Sequence, residues 1–274
     1  MSQSEGEQVI TLKGTPSKRV PHLNLCVFGG TNVGKTYFAL SYVRSQKKRM
    51  IFINADVEEN FIRNFNLLTD EQRKRVIQPH REDVSGLQLG DVPSIKRIVS
   101  EIEKGAIQAL IRSKQIELIA VDGLDAILST FERHYFDNYV SGVPTPFDYG
   151  RARDMFEREF LLPLLKQPCH FLATCNYEVV YPSGATQFSK PLKVMVAGRQ
   201  IEAHQPKLPA RFWKHFTSII EMRQVNPFQT RDVEAFFIKS KQYYGLFGYQ
   251  RLPKKDKAGL VFEDYLRYVR ESFQ

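Results

Sequence analysis

The chain has 274 residues, 42% hydrophobic and 25% charged, with a formal net charge of +9. That balance is typical of a soluble globular protein with enough chain for a large core, and its basic excess favours a polyanionic partner. No apolar run nears the roughly 18 residues of a membrane span and the start MSQSEGEQ is polar and acidic, which excludes a spanning helix and a signal peptide and predicts a cytoplasmic protein.

Residues 1–21 carry Gly6, Gly14, Pro16 and Pro21 around one β-like patch at Val9–Leu12. They read as an arm, either a frayed tail with an edge strand or a strand that pairs with a neighbouring subunit. Leu23 to Phe28 is the first core strand. It runs into Gly29, Gly30, Thr31, Asn32, Val33, Gly34, Lys35 and Thr36, which fit G-x-x-x-x-G-K-[ST]. In such a loop main-chain amides turn around phosphate oxygens, Lys35 reaches the β/γ-phosphates and the Thr36 hydroxyl ligates Mg²⁺. Lys35 is expected to be exposed in the free loop.

The spacing then predicts a helix over Lys35–Gln46 and a buried strand at Met50–Ile53, which ends in the acidic turn Asn54-Ala55-Asp56-Val57-Glu58-Glu59. Residues 60–90 read as one or two short helices with a small strand at Val76-Ile77. Ile95, Ile98, Val99 and Ile102 mark one face of a long helix over Asp91–Ser113. Ile116 to Val121 is the next buried strand and Asp122 ends it, on the strand expected beside the P-loop strand. Strands alternating with helices predict an α/β fold with a mainly parallel central sheet flanked by helices.

Phe131 to Tyr149 reads as an aromatic, mobile loop, and Arg151 to Leu162 as a helix that Pro163 kinks or ends. Cys169 to Thr174 is the fourth strand, followed by Cys175 and Asn176. The three cysteines (Cys26, Cys169, Cys175) lack metal-site spacing and suit a reducing compartment. Residues 178–211 form a second long stretch broken by Pro and Gly. Phe216–Arg223 and Val233–Ser240 read as C-terminal strands, and Phe262, Leu266, Val269 and Phe273 as the apolar face of a closing helix. Trp213, beside Phe212, reads as core.

Asp122 is the candidate carboxylate for Mg²⁺, directly or through water. Of Asp56, Glu58 and Glu59, Asp56 follows its strand most closely and is the candidate for orienting the attacking water. Strand, P-loop and helix, then FINAD, then ELIAVDGLDAI, then FLATCN, resemble the RecA-type recombinase core of bacterial RecA and archaeal RadA. In size and layout the chain is similar to the compact phage and viral RecA-like ATPases of the Sak type.

The resemblance covers residues 22–245. It implies a RecA-like P-loop NTPase domain over 22–274, with C-terminal antiparallel strands, ATP and Mg²⁺ as cofactors, and no separate DNA-binding domain. It also places Asp56 where the family has a catalytic glutamate, Asn176 where a glutamine senses the γ-phosphate, and Lys239 and Lys241 where bacterial RecA reaches a neighbour's γ-phosphate. The family's DNA loops fall on residues 129–150, with Arg133, Tyr135 and Tyr139, and on 177–211, with Lys190, Lys193, Arg199, Lys207 and Arg211. From the residues alone, the two lysines could equally be solvated, and the two tyrosines could be helix packing.

The expected function is a DNA-binding ATPase of phage or viral type, acting in recombination, repair or replication on single-stranded DNA as a homo-oligomeric filament or ring. The shortened Asp56 and Asn176 motivate an alternative, a nucleotide-gated assembly or loader protein that turns ATP over little. A small-molecule P-loop kinase is a third reading, against which stand the missing Arg-rich lid and the long aromatic and basic stretches.

Overall fold

The computed structural model describes residues 22–55, 58–79, 90–182, 184, 189–196, 199–224, 233–240, 250–251 and 261–272. The 1–21 arm, Asp56 and Lys241 lie outside them, as do the side chains of Arg199 and Lys239.

The apolar runs become the strands β1 (Asn24–Gly29), β2 (Arg49–Asn54), β3 (Val76–Ile77), β4 (Ile116–Asp122) and β5 (His170–Cys175). Three short strands lie outside the main sheet before Phe212, besides β6 (Tyr177–Val179): β7 (Lys193–Val196), β8 (Arg199–Glu202) and β9 (His204–Pro206). The main sheet closes with β10 (Ser218–Gln224), β11 (Val233–Ser240) and β12 (Gln250–Arg251). Its order is β12-β11-β10-β1-β5-β4-β2-β3. From β10 to β3 every pairing is parallel, whereas β11 and β12 are antiparallel. The fold is thus α/β, with a mainly parallel central sheet and antiparallel strands at its C-terminal edge.

Period-two alternation gives the sheet two apolar faces. Cys26, Phe28, Ile119, Val121, Phe171 and Ala173 point into one cluster, and Leu25, Val27, Leu118, Ala120 and Leu172 into the other. The first face is covered by α5 (Val92–Lys104), α6 (Ala106–Arg112), α7 (Leu124–Tyr139) and α8 (Pro146–Phe156). The second is covered by α1 (Lys35–Leu40), α2 (Tyr42–Ser45), α3 (Glu58–Phe65) and the closing helix α10 (Phe262–Ser272). Beyond α3, the short α4 (Asp70–Arg73) leads into β3. The Phe262 amide donates to Ser41 Oγ at 2.7 Å, which ties α10 to the break between α1 and α2.

Several expected boundaries moved. The helix predicted over Lys35–Gln46 is interrupted at Ser41, and the one over Asp91–Ser113 at Gly105, whose backbone is extended. Phe131–Tyr149 is not a loop. Leu124, Ile127, Leu128, Phe131 and Tyr135 are buried at helical spacing and carry α7 on to Tyr139. Thr145 and Asp148 then form a reciprocal capping box, with Pro146 in the first turn, and start α8. Pro163 does not end the following helix. A π turn at Glu157–Leu161 precedes it, and the proline falls in the first turn of α9 (Leu162–Leu165), where a missing amide is tolerated. Trp213 packs against the core with its indole N–H on the Leu208 carbonyl, and all three cysteines are buried free thiols.

Candidate functional site

Parallel register brings the C-terminal tips of β1, β5, β4 and β2 to one edge, the edge at which open α/β sheets bind ligands. The P-loop leaves β1 there. Gly29 has no room for a side chain, because a Cβ would lie 2.3 Å from the Met222 carbonyl oxygen on β10. Gly34 sits at φ 88°, in the left-handed region, and caps α1. These two glycines set the loop's close approach to β10 and its turn into the helix.

Lys35 is buried, contrary to the exposed lysine expected. Its ammonium donates to Gly29 O at 2.9 Å and Gly30 O at 2.8 Å, and lies 3.5 Å from Asn176 Oδ1. The loop's own carbonyls face inward and offer the charge acceptors that water would otherwise supply.

Asp122 is also buried. Its strand is not adjacent to β1, because β5 lies between them. The carboxylate still reaches the P-loop helix, where Thr36 Oγ1 donates to Asp122 Oδ2 at 2.6 Å. Its other oxygen accepts a short hydrogen bond from Thr174 Oγ1 on the intervening β5, and that hydroxyl accepts from the Gly123 amide at 3.0 Å. Ala55 N donates to Asp122 O at 2.8 Å, so the chain leaves β2 beside Asp122 one residue before Asp56.

Asn176 follows β5 and is held by Asp125, in the first turn of α7. Its Nδ2 and main-chain N donate to the two Asp125 carboxylate oxygens at 3.1 and 3.3 Å. The result is two polar groups at the loop, Thr174–Asp122–Thr36 on one side and Lys35–Asn176–Asp125 on the other. Thr174 and Asp125 escaped the sequence reading. Each had a faint signal: a threonine inside an apolar strand, and a second aspartate three positions after Asp122 on what proved to be a helix.

A hydroxyl and a carboxylate are hard oxygen donors of the kind Mg²⁺ takes together with nucleotide phosphates. Among the described residues no group of three or more His, Cys, Asp or Glu forms a metal cage. The donor set therefore fits a cation shared with a phosphate ligand, and the glycine turn with its buried ammonium fits the phosphate.

The other expected residues are spread more widely. Arg133 and Tyr139 are exposed on α7, and Lys190, Lys193 and Lys207 are exposed on the stretch between β6 and the 3-10 turn at Ala210–His215. Two expected contacts differ. Tyr135 is buried against Phe136 and Tyr139, because its position faces the helix-packing side of α7. Arg211 is engaged by Asp154, with Glu157 2.6 Å away, and so braces α8 and the π turn. Lys239 pairs in register with Ile219, near the end of the sheet opposite its own P-loop.

No family model matches the chain, and no curated protein matches it. Among solved structures it is similar to a KaiC-like protein from the hyperthermophilic archaeon Pyrococcus horikoshii, at 11% identity and a TM-score of 0.45, covering 87% of this chain and 88% of that one. It is also similar to the RadB recombinase, at 15% identity and a TM-score of 0.42, covering 87% of this chain and 90% of that one. No helix among the described residues is long and apolar enough to cross a membrane.

Proposed function

We propose that this chain is an ATP-dependent ATPase of RecA type whose turnover is coupled to single-stranded DNA. The observation that carries the nucleotide part is the 2.6 Å hydrogen bond from Thr36 to Asp122, which sets a hydroxyl and a carboxylate side by side under a glycine-rich loop. Mg²⁺ held there with ATP supplies charge neutralisation at the phosphates. The chain's own groups position the nucleotide. Main-chain amides of residues 30–35 cradle the phosphates, Lys35 exchanges its carbonyl partners for phosphate oxygens, and Asn176 meets the γ-phosphate while Asp125 holds it. Asp56, one residue beyond Ala55, orients the attacking water. Lys239 and Lys241 act on a neighbouring subunit's nucleotide in a homo-oligomeric ring or filament.

The DNA part is supported by the exposed Arg133, Tyr139, Lys190, Lys193 and Lys207 and by the net charge of +9. By the sequence resemblance over residues 22–245 we assign the chain to the compact phage or viral type, with 22–274 as one functional domain acting in recombination, repair or replication. The second reading, a nucleotide-gated assembly protein with little hydrolysis, is favoured by one observation: the Asn176 amide is already engaged by Asp125.

The test is the ATPase rate with and without single-stranded DNA, at low and high salt, for wild type and Lys35→Ala. Stimulation that fades steeply with salt supports the proposal. Turnover indifferent to DNA at low salt removes the DNA part. Tight ATP binding without turnover selects the assembly reading. Wild type without nucleotide affinity overturns the whole.

A further inference from the structure

On the far side of the P-loop from Asp122 lies a group of side chains that the nucleotide chemistry does not use. Glu221, on β10 opposite Phe28, is fully buried on an otherwise apolar sheet face that it shares with Ile219. Its Oε1 contacts Arg223 Nε and lies 2.8 Å from His204 Nδ1, and its Oε2 has no hydrogen-bond partner among the described residues. Burying a carboxylate is unfavourable until its partners offset the lost hydration.

What it holds is His204. That ring packs against Tyr177, with centroids 4.2 Å apart and planes 34° apart. Tyr177 directly follows Asn176, and its ring edge lies against the P-loop: a Cβ on Gly30 would sit 3.4 Å from Tyr177 Cε1. The Gly30 carbonyl is one of the two that accept from Lys35. Behind the stack, β6 and β9 pair through Tyr177↔Pro206 and Val179↔His204. The β7–β8 hairpin emerges between them, and main-chain bonds from Leu192 N to Val180 O and from Ala203 N to Leu192 O, both 2.8 Å, fasten its base.

We propose that Glu221 and His204 brace Tyr177 against Gly30, so that phosphate in the P-loop is sensed at the β7–β8 hairpin through this stack. Tyr177 and His204 are positioning residues in this arrangement. The inference rests on the nucleotide reading above. A phosphate that draws Lys35 away from the Gly30 carbonyl frees that peptide to turn. The tyrosine ring resting on it then moves, and because His204 is anchored by Glu221, the displacement passes into β6 and β9. The hairpin carries the exposed Lys193 and is the segment through which a polyanion would feel the nucleotide.

The experiment is hydrogen–deuterium exchange on the full chain with and without Mg²⁺ and the slowly hydrolysed γ-thio analogue of ATP, for wild type, Tyr177→Ala, Tyr177→Phe and His204→Ala. In wild type, the analogue slows exchange at least about threefold both in the P-loop and across residues 193–202. Tyr177→Ala and His204→Ala keep the P-loop protection and lose the response at 193–202, whereas Tyr177→Phe, which retains the ring, behaves as wild type. Since Tyr177 is partly exposed, its alanine variant should fold even if the His204 variant does not. A hairpin response that survives in Tyr177→Ala, or a wild-type hairpin that ignores a protected P-loop, overturns the inference while leaving the nucleotide reading intact. A wild-type P-loop with no protection overturns both.

Discussion

Thr36 and Asp122 stand 86 positions apart in sequence and on elements separated by an intervening strand, yet their side chains meet at 2.6 Å. Thr174 on that intervening strand completes the contact from the other side. The carboxylate is therefore aimed by two hydroxyls, and each should matter in a different way.

Thr36→Val removes a proposed metal donor and leaves Asp122 held by Thr174. At least a tenfold loss in kcat/KM, about 1.4 kcal/mol, is expected, with the Mg²⁺ concentration for half-maximal rate shifted upward. Thr174→Val leaves both donors in place but frees the carboxylate to rotate, so its loss should be smaller and confined to kcat. Magnesium titrations of both variants decide between these roles. Equal losses would show that Thr36 only positions Asp122.

Lys35→Ala should abolish turnover, and it should also loosen the loop. The buried ammonium bridges Gly29 O and Gly30 O, so its removal strands two acceptors next to β10. A destabilisation of about 1–3 kcal/mol is expected. Thermal melting without nucleotide measures it. An unchanged Tm would mean that these hydrogen bonds contribute no net stability.

Gly29 and Gly150 should respond in opposite directions to the same substitution. Gly29→Ala drives a methyl group toward the Met222 carbonyl, which belongs to the adjacent strand, and should cost about 1–3 kcal/mol along with nucleotide binding. Gly150→Ala, in α8 with nothing within 4 Å of the added carbon, should stabilise by about 0.5–1 kcal/mol. Chemical denaturation of the two variants makes the comparison.

Acid should unfold the protein in two stages. Burial, reinforced by His22, lowers the His170 pKa to about 4, and its Nδ1 accepts from the Leu23 amide. The stability tied to neutral His170 is present above its ordinary value near 6.5 and is lost as pH falls toward 4. Burial alone would raise Glu157, but hydrogen bonds from Arg211, His215 and Lys214 outweigh it and hold the carboxyl at about 2. Its contribution is present above about 4.5 and is lost between there and about 2. Melting curves from pH 7 to pH 2 should show both stages. His170→Gln should erase the first, and Arg211→Ala should narrow the gap between neutral and acidic stability in the second.

The sequence alone determined what depends on near neighbours. Buried strands announce themselves as apolar runs, and the glycine-lysine-threonine spacing prescribes a phosphate-sized turn, so the parallel sheet and the loop at its tip could both be read from the chain. The start of α8 was legible too in Thr145, Pro146 and Asp148, but the glycine, prolines and tyrosines around them pointed to a loop. Burial of Leu124, Ile127 and Phe131 against the sheet outweighed those local signals. Only the tertiary structure could decide which side chains face one another across strands. It put β5 between the P-loop and Asp122, set Asp125 under Asn176, paired Arg211 with Asp154 and Glu157, turned Tyr135 inward, and buried Glu221 behind His204. Strand order and register fix each of these contacts, and both arise from packing the two apolar faces, which no single stretch of chain encodes.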